Sequence, residues 1–175
     1  AGSAGCDVLV LGGGLHGCST ALHLALMGAR VLVLEKDRVG RHASGVNAGG
    51  VRRLARDLRE VALSVESLKM WHAIGELVDD DCGFVAHGQL QVAETEEELA
   101  EQRRRVAALD AIGFHHEVLV DRDELRRIVP AVADHCVGGL WAAEDGAAMP
   151  YHTTLAFRRK GERLGVTFEE GAAVV

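Results

Sequence analysis

An apolar run from Cys6 to Leu11 breaks at Gly12-Gly13-Gly14, and beyond the break Ala21, Leu22, Leu24, Ala25 and Leu26 recur at helical spacing up to Gly28. The pattern predicts a strand, a tight turn and a helix. Gly28 stands where a helix end favours a left-handed residue, and Val31-Leu32-Val33-Leu34 follows as a continuous apolar strand ending at Glu35. Together these predict a parallel βαβ unit.

From Gly40 to Gly50 glycine, serine and asparagine predominate, a loop composition whose backbone can approach a ligand closely. Leu54 to Val78 returns to roughly helical spacing through Val61, Leu68, Trp71 and Ile74, which predicts one long or broken helix with Trp71 in the core. Asp79-Asp80-Asp81 leads from it to a turn at Gly83. The period then changes, because Gln89, Leu90, Gln91 and Val92 alternate as in an antiparallel strand with one wet face. Thr95 and Glu98 give a capping-box signal for a helix from Glu96 to Ala111, closed by Gly113. Its Arg103-Arg104-Arg105 run, set against Glu96, Glu97, Glu98 and Glu101, reads as a solvated, salt-bridged face. A strand at Phe114 to Val120, a short helix at Asp123 to Val129 and a strand at Val137 to Ala142 follow, the last leading to Asp145-Gly146. Pro150 suits the first turn of a helix running to Arg163, after which Val166 to Phe168 and Ala172 to Val175 return to strand character. The chain stops directly after an apolar run, so the expectation is a fragment of a longer protein. Ala1 to Gly5, a cloning remnant or a clipped native start, is left out of the fold.

Composition narrows the class without changing this outline. Among 175 residues, 48% are hydrophobic and 26% charged, the balance of a folded globular chain. A net charge of -7 argues against nucleic acid and points to a small-molecule partner. Cys6, Cys18, Cys82 and Cys136 are scattered without ligand spacing, so no metal site is expected and the thiols read as reduced in a cytoplasmic protein.

Gly12, Gly14 and Gly17 form GxGxxG directly after a strand and at the start of a helix. Gly12 permits the turn, Gly14 lets the backbone approach a pyrophosphate, and Gly17 lets the helix pack closely on the sheet. Phosphates would then sit at the helix N-terminus, where unpaired N–H groups favour an anion. Glu35, at the end of the second strand, is placed to accept hydrogen bonds from a ribose diol, and its charge disfavours NADP. An NAD domain would continue with another helix and parallel strand. The antiparallel excursion here suits a flavoprotein instead, with an NAD-dependent dehydrogenase as the alternative. The expected fold class is therefore α/β, a Rossmann-type FAD-binding domain with the start of an inserted antiparallel α+β substrate domain. Its segments are predicted at 6–80 (FAD-binding), 81–145 (substrate layer) and 146–175 (return to the FAD-binding domain).

The combination of Gly12 to Gly17 with Glu35-Lys36, of Gly40-Arg41-His42-Ala43-Ser44-Gly45 with Asn47-Ala48-Gly49-Gly50, and of Asp145-Gly146 with Met149-Pro150 resembles the D-amino-acid oxidase and glycine/sarcosine oxidase superfamily. The resemblance implies FAD contacts from Gly12, Gly14, Leu15, His16, Gly17, Glu35, Lys36, His42, Ser44, Asn47, Gly49 and Gly50, with Val174 meeting the adenine. His42 resembles the histidine that carries covalent FAD in dimethylglycine and sarcosine dehydrogenases, although Arg41 replaces the tryptophan that precedes it there; the alternative is a histidine packed beside noncovalent FAD. The implied activity is oxidation of the C–N bond of an amino acid or a secondary or N-methyl amine, with oxygen, a quinone or a partner protein as acceptor. A hetero-oligomer, and a noncatalytic nucleotide-binding subunit, are also compatible with the pattern. The family's C-terminal glycine motif and most of its substrate-binding residues would lie beyond Val175, so the fragment alone is expected to be inactive.

Arg52 and Arg53 follow the glycine loop, where an arginine can bind a substrate carboxylate; Arg52 is the candidate catalytic residue, the alternative being a solvated helix start. His72, His87, His115, His116, His135 and His152 have no mutual spacing that predicts a base or a metal site.

Overall fold

In chain order the elements are β1 (Val8–Leu11), α1 (Leu15–Leu26), β2 (Val31–Glu35), α2 (Ala43–Val46), β3 (Gly50–Val51), a 3-10 turn (Leu58–Glu60), α3 (Val61–His72), α4 (Ile74–Val78), β4 (Gln89–Ala93), α5 (Glu96–Ala111), β5 (Val118–Asp121), α6 (Arg122–Ile128), β6 (Gly138–Ala142), β7 (Gly146–Ala147), α7 (Pro150–Arg163) and β8 (Thr167–Glu170). This computed structural model describes residues 5–174, so Ala1 to Ala4 of the leading segment, and Val175 of the last apolar run, lie outside the described residues. The chain divides into two compact units. The first runs up to Gly49 and takes in Ala73–Phe84 and the stretch from Ala148 onward, and the second comprises Gly50–His72 and Val85–Ala147.

The first unit is built on a parallel sheet of order β1-β2-β8. Val31 and Val33 on the central strand are buried with Ala21 of α1 and Val166, and Val10, Leu24 and Phe168 pack against them. Burial of this stripe, at about 25 cal/mol per Å² of apolar surface, fixes α1 on the sheet. Helix α7 lies against α1 through its buried face, which includes Ala156 and Phe157. Gly165 at φ 91° closes α7 and turns the chain into β8.

The second unit is an antiparallel sheet of order β4-β6-β5, with β3 and β7 as a separate two-stranded pair. Thr95 and Glu98 form the expected capping box, and Asp121 with Glu124 forms another at α6 that sequence reading had not singled out. Leu125, Val120 and Cys136 form one core cluster, and Leu54, Leu140 and Ala142 another.

Four local expectations change. The predicted long or broken helix at Leu54 to Val78 is a broken one, interrupted at Ala73, and it begins only at the 3-10 turn, because Asp145 and Glu117 hold the backbone N–H groups of Arg53, Leu54 and Ala55 in a non-helical path. The predicted strand at Phe114 starts at Val118, since Phe114 N–H donates to Leu109 O in closing α5. Within Gly40 to Gly50 a helical turn, α2, replaces open loop. Ala172 extends β8 by one hydrogen bond to Glu35 O, but residues 172–174 form no strand. The arginine run also divides: Arg104 lies on the exposed face 3.9 Å from Glu101, whereas Arg105 turns inward to the buried Glu117 at 2.6 Å.

His116 stands beside that ion pair. Its side chain is 5% exposed, 3.8 Å from Glu117 Oε1, and neither ring nitrogen has a hydrogen-bond partner among the described residues. Burial, and next the charge of Arg53, push its pKa down, with Arg105 acting the same way and Glu117 and Asp145 opposing. The folded chain therefore resists a proton that the unfolded chain accepts below the ordinary histidine value of about 6.5, so stability falls as pH drops through that value. His116→Leu is expected to lose a few degrees less in unfolding midpoint than the parent between pH 7.5 and pH 5.5. Equal losses in the two proteins would refute this origin of the acid sensitivity.

Candidate functional site

The first unit assembles a cradle at the carboxyl end of β1 and β2. Gly12, at φ 103°, turns the chain out of β1, and Gly14 is the N-cap of α1. Gly14 has no side chain to occupy the helix end, and no acidic residue lies in the first turn. A β-carbon on Gly17 would lie 1.9 Å from Gly12 O, so glycine is obligatory for α1 to sit this close to the turn. These features keep an N-cap side chain and any first-turn acid away from the positive end of a 12-residue helix, as anion binding requires.

Glu35 is buried, and its carboxylate accepts from Gly13 N at 2.7 Å and Asp37 N at 2.9 Å. The side chain thus ties the end of β2 to the glycine turn. Each oxygen takes one backbone N–H, and a carboxylate has capacity for further donors such as a ribose diol. Gly13, an unassigned position in the motif, proves as constrained as its neighbours: a β-carbon there would meet Val39 Cγ2 at 2.8 Å. Sequence spacing could not show this, because the constraint comes from residue 39.

Ser44 Oγ accepts from Leu15 N at 2.9 Å, so α2 caps the same helix end that Gly14 leaves bare. Leu15 is half-buried and His16 exposed. Asn47 organises the loop from within, its amide donating to Ala43 O and Ser44 O, both at 3.1 Å, while Gly49 N donates to its Oδ1 at 2.8 Å. Gly49 takes φ 72° and passes so close to Ala148 O that a β-carbon would lie 2.2 Å from it. His42 is exposed at the N-cap of α2, with Nε2 3.5 Å from Asp37 Oδ2; Arg41 contacts the same carboxylate at 2.9 Å. Lys36 and Val174 are exposed, and Gly171 N donating to Asp37 O brings the segment before Val174 alongside the residues after Glu35. Ser44→Ala is expected to destabilise the first unit by about 1 kcal/mol, as for loss of a helix cap. Thermal unfolding with and without added FAD reads this, and unchanged midpoints in both would remove Ser44 from the cradle.

Gly50, Arg52 and Arg53 belong to the second unit. Gly50 pairs with Ala147 in the β3–β7 ladder. Arg52 is exposed, and its guanidinium donates to Leu54 O. Arg53, read as a substrate-carboxylate ligand or a solvated helix start, is neither: it is buried, with Nε 3.0 Å from Asp145 Oδ1 and Nη2 3.0 Å from Glu144 Oε2. Trp71 is half-buried rather than deep in the core.

Burial pushes the thiol of Cys18 up to about 12 and that of Cys82 up to about 11, so neither is a nucleophile at neutral pH. Among the described residues no group of three or more His, Cys, Asp or Glu is placed to hold a metal ion, and no helix is long and apolar enough to cross a membrane.

Three comparisons bear on this cradle. The family model for DAO, described as FAD dependent oxidoreductase, matches residues 7–175. Gamma-glutamylputrescine oxidoreductase of Escherichia coli is 32% identical over 91% of this chain and 41% of its own length, and sarcosine oxidase subunit beta of an Arthrobacter species is 29% identical over 96% and 43%. The crystal structure of glycine oxidase from Geobacillus kaustophilus superposes with a TM-score of 0.86 at 25% identity, over 95% of this chain and 46% of that one. The chain thus spans less than half the length of each of these relatives. Its cofactor is FAD, and the NAD alternative falls. The chain belongs to the DAO family of FAD-dependent oxidoreductases.

Proposed function

We propose that this chain is the FAD-holding portion of an enzyme that oxidises the carbon–nitrogen bond of an amino acid or a secondary or N-methyl amine. The observation that carries the reading is the glycine-lined N-terminus of α1 beside a carboxylate on β2, a donor–acceptor pair that fits the pyrophosphate and ribose of FAD. The names of the matched relatives, which specify an amine, sarcosine and glycine, supply the substrate class.

In this reading Gly12, Gly14, Leu15, His16 and Gly17 hold the pyrophosphate, Glu35 and Lys36 the ribose end, and Ser44, Asn47, Gly49 and Gly50 the stretch toward the flavin ring, with the backbone at Val174 meeting the adenine. FAD, when bound, supplies a two-electron acceptor for the substrate carbon next to nitrogen. The protein's own task is to hold that carbon in place with the amine unprotonated, so that the nitrogen lone pair supports loss of hydride. Water then hydrolyses the imine to a carbonyl compound and an amine. Arg52 is the residue assigned to the substrate carboxylate, through its planar guanidinium. Oxygen, a quinone or a partner protein would reoxidise the cofactor in a cytoplasmic enzyme.

An absorption spectrum of the full-length protein before and after acid precipitation tests both the cofactor reading and the linkage at His42. Flavin bands released to the supernatant mean noncovalent FAD. Bands kept in the pellet, and lost in His42→Ala, mean covalent attachment. Substrate turnover distinguishes the enzyme from a nucleotide-binding subunit: FAD retained without reduction by sarcosine, glycine, proline or an N-methyl amine would favour the subunit.

A further inference from the structure

Beside the cradle, the first unit contains an open cavity of about 490 Å³, within the range of small-molecule sites, that shares Gly45 with the α2 loop. One wall is a stripe of α7, His152, Leu155 and Arg159, and Met149, Tyr151 and Gly45 supply much of the remainder. The spacing of the stripe, i, i+3 and i+7, puts an apolar side chain between two nitrogen-bearing ones on a single helix face.

Both polar members are fixed from behind by Asp80. Its Oδ1 lies 2.7 Å from His152 Nε2 and accepts from Cys82 N at 2.8 Å, and its Oδ2 accepts from Arg159 Nη2 at 2.8 Å. The carboxylate is thereby occupied on both oxygens, while Arg159 retains further N–H donors and His152 a second ring nitrogen. The neighbouring acids do not compete for these groups. Asp79 is paired with Lys160 and Arg163, and Asp81 accepts from Gly83 N. Asp80 cancels the charge of Arg159, so the wall offers a ligand N–H donors of the guanidinium rather than net charge.

We propose that this cavity binds a small organic carboxylate with an apolar body, the carboxylate on Arg159 and the body against Leu155, Met149 and Tyr151. Asp80 is the positioning residue: it holds the Arg159 guanidinium, and His152 beside it, before a ligand arrives, so less side-chain entropy is lost on binding. The site stands on α7 and the 79–83 turn and does not depend on the proposed amine oxidation.

The test is a calorimetric titration of the full-length, FAD-loaded protein with 3-phenylpropionate, repeated on Arg159→Gln and Leu155→Asn. Saturable binding at roughly millimolar concentration is expected, weakened about tenfold by Arg159→Gln through loss of a charged hydrogen bond. Leu155→Asn, which leaves the Asp80 contacts intact, is expected to weaken it several-fold and serves if the arginine variant does not fold. Inorganic phosphate, lacking the apolar body, is expected not to displace the probe. No saturable binding, binding of equal strength in the folded variants, which would place the probe elsewhere, or displacement by phosphate alone would each overturn the proposal.

Discussion

Gly17→Ala is expected to abolish stable FAD retention while leaving the second unit folded. Its β-carbon would stand 1.9 Å from Gly12 O, and because the obstacle is backbone, no rotamer change relieves it. Helix α1 must move away from the turn by more than an ångström, taking with it the N–H groups that face the anion. Overpacking of this kind costs about 1–3 kcal/mol in folding. The larger effect falls on the cofactor, whose retention is expected to drop at least about tenfold for every 1.4 kcal/mol of lost contact. The flavin-to-protein absorbance ratio after gel filtration measures this. Trp71 and Trp141, the only tryptophans in the sequence, both lie in the second unit, so an unaltered emission spectrum shows that the loss is local. A variant that keeps FAD as the parent does would mean that α1 does not lie against the cofactor.

Asp145→Ala is expected to give the largest loss of stability in the second unit. The carboxylate is fully buried and accepts from Arg53 N at 2.7 Å, Leu54 N at 2.8 Å and Arg53 Nε at 3.0 Å. Its removal leaves two backbone N–H groups unpaired and deprives the Arg53 guanidinium of its buried partner, with only the mostly exposed Glu144 remaining. Breaking a buried pair from one side costs about 3–5 kcal/mol, which in a chain of this size is a midpoint shift of roughly 10 °C or more. Asp145→Asn keeps an oxygen for the backbone and should fall between. Tryptophan emission follows the transition, and a midpoint within a degree of the parent would show that the clamp holds nothing.

The local grammar of the chain was legible where one segment decides its own structure. The strand before Gly12, the helix after Gly14, the box at Thr95 and Glu98 and the proline start of α7 all depend on neighbours a few residues away. What escaped depends on distant partners. Arg53 read as a carboxylate-binding arginine or a solvated helix start because its counter-ion is 92 residues later. The arginine run on α5 looked uniform because Glu117, which draws Arg105 inward, belongs to another element. Ser44 was legible as a family position, but its service as the cap on α1 was not, since the two are 29 residues apart and no local pattern joins them. Asp80 read as part of an acidic helix end, and only the fold shows it holding two residues of α7.

The position of β8 has a consequence for how the molecule is made. Its partner β2 is already synthesised by Glu35, yet the Leu32↔Thr167 to Glu35↔Glu170 register, and the bond from Val39 N to Glu170 Oε1 at 2.8 Å, wait for residues some 130 positions later. The three strands of the antiparallel sheet at 89–142 are all made before that. On a ribosome delivering residues from the N-terminus, β4, β5 and β6 are therefore all made while β2 still lacks its β8 neighbour. Contacts of such sequence separation are slow to close and expose unpaired strand edges meanwhile. Of these two sheets, the one whose first strand is made first gains β8 last, and aggregation during synthesis should arise from β2.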